Sequence, residues 1–231
     1  MPEILASVKD ASVSISNTNF STARDATSGT SFQNAAATAT SAIRCAKTSF
    51  RGSTSFFISR AFFEFDTSGI STTPSAATLK LYGQTNTSAD FFVVKSTVAD
   101  GATIQFAEFD SIDGWSAGAD NSSNVTKYSS EVTSWSTGAY NNITLTSDAL
   151  SDMASEDNFK ICLIQSDNDL ANVEATTVVK TGIDNINQIR LAYTEGSAGY
   201  TNNVLGVASA NIAGVNGVAT ANIASVNGVD T

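Results

Sequence analysis

Histidine is absent from the 231 residues. With it go the commonest general base, the usual partner of a nucleophilic serine and the commonest metal ligand. Cysteine is nearly absent too: Cys45 and Cys162 are the only two, too few for a disulfide scaffold and without the CxxC spacing of a metal or redox site. Both fall in strand-like segments, which points to buried free thiols, with a bridge only where the fold brings them together. No GxSxG elbow, phosphate loop or dinucleotide fingerprint occurs. No apolar run reaches membrane-spanning length, and MPEILASVKDASVS lacks the basic start and long apolar stretch of a secretory signal, so synthesis in a cytosol without export is expected.

Charge is sparse and one-sided. Only 15% of residues are charged, and 22 acids against 12 bases leave a formal net charge of −10. Such a surface repels phosphate backbones and anionic headgroups, so neither nucleic acid nor membrane is an expected partner. Solubility falls instead to Ser, Thr, Asn and Asp, which favour turns and extended chain over helix. With 42% hydrophobic residues, the length suits one sandwich-sized domain plus an appendage.

Short near-alternating segments recur through the first 195 residues, the rhythm of an all-β sandwich or barrel. In SFFISRAFFEF, Phe57, Ala61, Phe63 and Phe65 share one face, and Phe56, Ile58 and Phe62 the other. Both faces are apolar, which predicts a central strand buried on both sides, or one buried against a partner. ATLKLYG alternates as a half-buried strand, with Ala77, Leu79 and Leu81 inward and Gly83 read as the turn that ends it. Further strands are predicted at Phe91 to Val94, Ile143 to Leu145, Phe159 to Ile164, Val178 to Val179 and Ile189 to Tyr193. Ser147 is the predicted cap of one short helix through Met153 and Ala154.

The composition changes after Glu195. From there Asp230 is the only charged side chain, and no aromatic follows Tyr200. LGVASANIAGV, NGVATANIASV and a partial NGVDT align as an eleven-residue repeat with Gly206, Gly217 and Gly228 in register. Recurrent glycine and β-branched residues disfavour helix, and Asn216-Gly217 and Asn227-Gly228 read as tight turns. A repeat this short cannot bury its Val and Ile against itself. Val207, Ile212, Val215, Val218, Ile223, Val226 and Val229 are therefore candidate anchors for assembly with other subunits or a larger partner. The expected organisation is a sandwich domain over residues 1–195 and a repeat tail over 196–231.

Little chemistry-bearing constellation remains. Glu64, Glu108, Asp110 and Asp113 are the carboxylates that a two-acid glycosidase would draw on, but Glu64 and Asp66 share a strand edge where acids are usually solvated, so no catalytic residue is assigned. Asp110, Asp113 and Asp120 in DSIDGWSAGAD, and Asp167 and Asp169 in QSDNDLAN, offer oxygen ligands for a structural calcium ion without matching an EF-hand; their residue types also suit plain turns. No other cofactor is expected. Trp115 and Trp135, with Tyr128 and Tyr140, are candidates for an aromatic sugar platform, the competing reading being core packing. Glycosylation sequons stand at Asn121, Asn124 and Asn142.

The passage SRAFFEFDTSGISTTPSAATLKLYG resembles the signature of the DNRLRE-like β-sandwich domains, related in shape to carbohydrate-binding modules. An aromatic-x-Phe-Asp strand leads there through a proline-containing turn to Ala-Thr-Leu-x-Leu-Tyr, features that fall on Phe63, Phe65, Asp66, Pro74, Ala77, Thr78, Leu79, Leu81 and Tyr82. Gly114-Trp115, FKICLIQSDND and IRLAYTE are similar as well, so the resemblance spans residues 8 to 200, though the TWN-P segment of secreted members is missing. The tail resembles GVAxANIxxVNGVA repeats of phage structural proteins. Together these imply an antiparallel, jelly-roll-like sandwich in a virion: a non-enzymatic capsid decoration, fibre or tail component, homo-oligomeric and in contact with other virion proteins. The alternative is a carbohydrate-binding module or adhesin for a host-surface glycan.

Overall fold

The structure is a computed structural model that describes residues 1–7, 10–34, 40–87, 90–185 and 189–196, together with the backbone of four two-residue strands in the tail. In chain order the elements are β1 (Glu3–Leu5), β2 (Ala11–Asn17), α1 (Phe20–Arg24), β3 (Ser31–Asn34), β4 (Thr40–Phe50), β5 (Ser53–Asp66), β6 (Ala76–Asn86), β7 (Phe91–Lys95), β8 (Tyr140–Thr144), α2 (Ser147–Ser155), β9 (Asn158–Gln165), β10 (Val178–Asp184) and β11 (Arg190–Thr194). All eleven strands pair antiparallel, and the fold is all-β.

β5 is the organising strand. β2 runs along one edge of it, while the other edge is shared, β4 pairing with Ser53–Ser59 and β9 with Ala61–Asp66. β7 adds to β9, and β10 adds to β4. A second layer of β1, β11, β6 and β8 is joined to the first where β10 also pairs with the far end of β6, through a register shift at Gly182/Ile183. The core between the layers holds Phe63, Phe65, Phe159, Ile161, Leu163, Phe91 and Val93 from one side, and Leu79, Leu81, Ile143 and Leu191 from the other. The opposite face of β5, with Phe56, Ile58 and Phe62, packs under α1 and the long 98–125 connection, against Phe20, Ala23, Phe109, Ile112 and Val125. The central strand buried on both faces is thus present as expected. Removing each of these phenylalanines from water favours the fold by roughly 1.5–3 kcal/mol.

Two local expectations are corrected. Gly83 does not end β6, which continues to Asn86; a Cβ at this position would collide with the carbonyl oxygen of Ser136, so the glycine serves a close backbone approach rather than a turn. The cap of α2 is Thr146, whose hydroxyl accepts from the backbone N–H of Ala149, and Ser147 is the first helical residue. The helix α1 went unread in the sequence, although Asn19 caps it by accepting from the N–H of Thr22. Cys45 and Cys162 are free thiols in the core under α1, and burial pushes both thiols upward in pKa.

In the tail, Gly214–Val215 pairs with Val218–Ala219 and Ser225–Val226 with Val229–Asp230. The two registers are alike, with a pair of valines opposite one another in each. Of the proposed anchors, Val215, Val218, Val226 and Val229 are described in backbone only; Val207, Ile212 and Ile223 lie outside the described residues, as do the Asn-Gly dipeptides.

Candidate binding groove at the β8 edge

β8 is the last strand of its layer. The bonds from Leu145 N–H to the Ala77 carbonyl and from Gly83 N–H to the Ala139 carbonyl fix which residues of β8 face β6. By the two-residue alternation of an antiparallel ladder, Asn141 and Ile143 exchange bonds with β6, while the backbone groups of Tyr140, Asn142 and Thr144 face away from it. Facing them runs the segment 130–134. It is tied to β7 by reciprocal bonds between Phe91 and Val132, at 3.2 and 2.8 Å, and to the end of β8 by the bridge between Ser129 and Leu145. Because Val132 turns its backbone toward β7, Glu131 and Thr133 turn theirs toward β8.

The two walls diverge from the Ser129–Leu145 bridge and enclose a groove of about 530 Å³, lined by Ser130 to Ser134 and Tyr140 to Thr144. Asn141 in the lining clamps the adjoining 136–139 turn: its side chain accepts from Ser136 N–H at 2.8 Å and donates to the Ser136 carbonyl at 2.9 Å. Glu131 is the only acidic residue in the lining, and the lining holds no Lys or Arg. On the shoulder, Tyr140 meets Tyr82 edge-on at 5.2 Å, and the Tyr82 hydroxyl donates to the Gly138 carbonyl. Below them Glu3 holds Lys80 at 2.7 Å and Arg190 at 2.9 Å; hydrogen bonds from Lys80 and then Arg190 lower the carboxyl's pKa.

The four aromatic candidates do not form one platform. Tyr140 stands on the groove. Trp135 packs on Phe91 at 5.6 Å, and Tyr128 is fully buried, stacked on Phe159 with its hydroxyl donating to Asp152, so it presents no ring to a sugar. Trp115 lies in the other core, half-buried. The calcium candidates are likewise already engaged or dispersed. Asp169 gives both carboxylate oxygens to Arg60, at 2.7 and 2.9 Å. Asp113 accepts from the Thr126 hydroxyl, Asp120 from Ser122 N–H, and Asp167 only from Gln165 at 3.4 Å. Among the described residues no three acidic or thiol side chains are placed to hold an ion. Of the carboxylates weighed for glycoside hydrolysis, Glu64 accepts from Gly101 N–H and Glu108 from Gln105 N–H. The sequon asparagine Asn121 is fully buried, bonded to both backbone groups of Ser116.

A buried polar network was not foreseen. Arg60 lies in the midst of the apolar β5 run, fully buried, and besides Asp169 donates to the carbonyls of Phe109 and Arg24. Arg24, equally buried, donates to the carbonyls of Asp169, Ala119 and Leu170. The Trp115 ring sits 4.0 Å from the Arg60 guanidinium and 4.4 Å from that of Arg24. Burial opposes the charge on Arg60, but the Asp169 carboxylate outweighs it and the net shift is upward. The signal in the sequence was an arginine at an inward position of a strand otherwise apolar on both faces.

Asp10 is the second buried acid. One oxygen accepts from Glu64 N–H at 2.8 Å and the other has no protein partner. Burial raises its pKa to about 8, against the backbone bond that favours the charged form. No known family model matches the chain, and no curated protein is similar enough in sequence to count as a relative.

Proposed function

We propose that the chain is a non-enzymatic structural protein of a bacteriophage particle, a decoration, fibre or tail component whose sandwich projects outward and whose C-terminal repeats mediate assembly. The observation that carries this reading is the pair of tail hairpins. Each has two paired residues per strand and pairs with no other strand among the described residues. A hairpin of that size has no stability of its own and gains it only by stacking or by strand addition to something larger. The sequence resemblance of the repeats to phage structural proteins points the same way. The test is the solution mass of the full chain beside Ile212→Asp/Ile223→Asp, by light scattering after size exclusion. An oligomer that this pair of changes dissolves, with circular dichroism unchanged, supports the reading; particles that incorporate the variant normally would end it.

The second reading is recognition of a host-surface glycan. It is favoured by the amide- and hydroxyl-rich groove, with its single acid Glu131, beside the Tyr82–Tyr140 pair, since sugars take bonds from such groups and pack on aromatic rings. A glycan array that shows no binding at millimolar concentration removes it.

A further inference from the structure

We propose that the groove between β8 and residues 130–134 receives, as an added strand, a tail repeat from a second copy of this chain. This rests on the assembly reading and names its receiving surface. The groove is bounded by β8 and by the segment 130–134, which leaves β8 at the antiparallel bridge between Ser129 and Leu145. Asn142 on one wall turns its backbone groups away from β6, and Glu131 and Thr133 on the other flank Val132, whose backbone is bonded to β7, so all three are placed to face the gap. A strand laid between them would bond on both sides, the mode by which an extended peptide joins an exposed sheet edge. β8 is five residues long, so the edge offers about 17 Å of pairing.

The chemistry of the occupant follows from the lining. With no basic residue present and one acid, the groove selects neither an acidic nor a phosphorylated segment. The tail is uncharged from Gly196 to Val229. Its repeat Ala219-Thr220-Ala221-Asn222-Ile223 also alternates in the required sense. As an extended run it places Ala219, Ala221 and Ile223 on one face, matching Val132 and Ile143 at the groove floor, and Thr220 and Asn222 on the other, matching Asn142 and Tyr140 at the rim. Among the described residues neither tail hairpin pairs with β8 of its own chain, and on the assembly reading the donor is another copy. A tail given to the next subunit while the groove accepts from the previous one is a heterologous contact, which closes into a ring or extends as a filament.

The test uses three full-length chains: the natural one, Ile212→Asp/Ile223→Asp with a broken tail, and Asn142→Pro with a broken groove. Proline removes an N–H that faces the gap and takes no part in the bonds to β6; Asn142→Lys, at an exposed position, serves if proline impairs folding. The natural chain is expected to be an oligomer. Each variant alone is expected at 23.9 kDa with unchanged circular dichroism and Tm. An equimolar mixture of the two variants should double in mass and go no further, because one chain supplies the only sound groove and the other the only sound tail. If both groove variants remain oligomeric while the tail variant dissociates, the groove is not the receiver and the assembly reading survives. If the mixture stays monomeric, the groove proposal fails. If the tail variant stays oligomeric, or the natural chain is a monomer, both fall. A neutral oligosaccharide bound by the tail variant and released by Asn142→Lys would reassign the groove to sugar and also overturn the proposal.

Discussion

The two faces of β5 are buried by different means. Toward β6 and β8 the strand meets another sheet, and Phe63 and Phe65 interdigitate with the apolar side chains of that layer. Toward α1 the covering layer is mostly irregular chain, whose peptide groups have no ladder to bond in. There Arg24 and Arg60 satisfy carbonyls at Ala119, Phe109, Asp169 and Leu170. Loops can cover a core only when their buried carbonyls find donors, and two arginines balanced by Asp169 supply them. The sheet-on-sheet side is held by shape, the loop side by polar completion.

That contrast can be broken from either side. Asp169→Ala should be the most damaging single change, roughly 3–5 kcal/mol, because it strands the buried Arg60 charge; chemical denaturation measures it, and a loss below about 1 kcal/mol would show the network to be dispensable. Phe63→Ala should cost a similar roughly 3–5 kcal/mol by opening a cavity. The two sides then separate in salt and shape response: Phe63→Leu should recover most of the loss, whereas Asp169→Asn, close in shape but uncharged, should not.

Asp10 sharpens the comparison through pH. Its carboxyl holds a proton in the folded chain up to about pH 8, while the unfolded chain sheds it near 3.8. Between those values the folded state binds more protons, so stability falls as pH rises from about 4 to 8 and then levels off. The expected loss is on the order of a few kcal/mol, and Asp10→Asn should flatten the curve of Tm against pH; an unchanged slope would assign the dependence elsewhere. Smaller still, Thr146→Ala should cost about 1 kcal/mol through the α2 cap, while Ser147→Ala should leave Tm within a degree or so.

The apolar pattern of residues 55–65 made the central strand legible because each face carried its own run of phenylalanines, and the alternation in ATLKLYG did the same for β6. Gly83 misled because the reason for a glycine there, the carbonyl of Ser136, lies 53 positions away. Ser147 misled because Thr146 is an equally good cap and only backbone geometry decides between them. The groove was not legible. Tyr140 was singled out for its ring, but Glu131, Thr133 and Asn142 matter through the direction of their peptide groups, which depends on which neighbour each strand already has. Arg60 was readable as an anomaly without its answer, since Asp169 is 109 positions distant.

The first strand also has a bearing on the order of events during synthesis. Among the described residues β1 pairs with β11, and Glu3 takes one of its two ion-pair partners, Arg190, from 187 positions downstream. At the ribosome's pace of about 5–20 residues per second, Glu3 waits roughly 10–40 s for that partner to be made. The tail repeats are translated after β11. Under the proposed assembly role, the segment that would join subunits thus emerges only after every strand of the sandwich has been made.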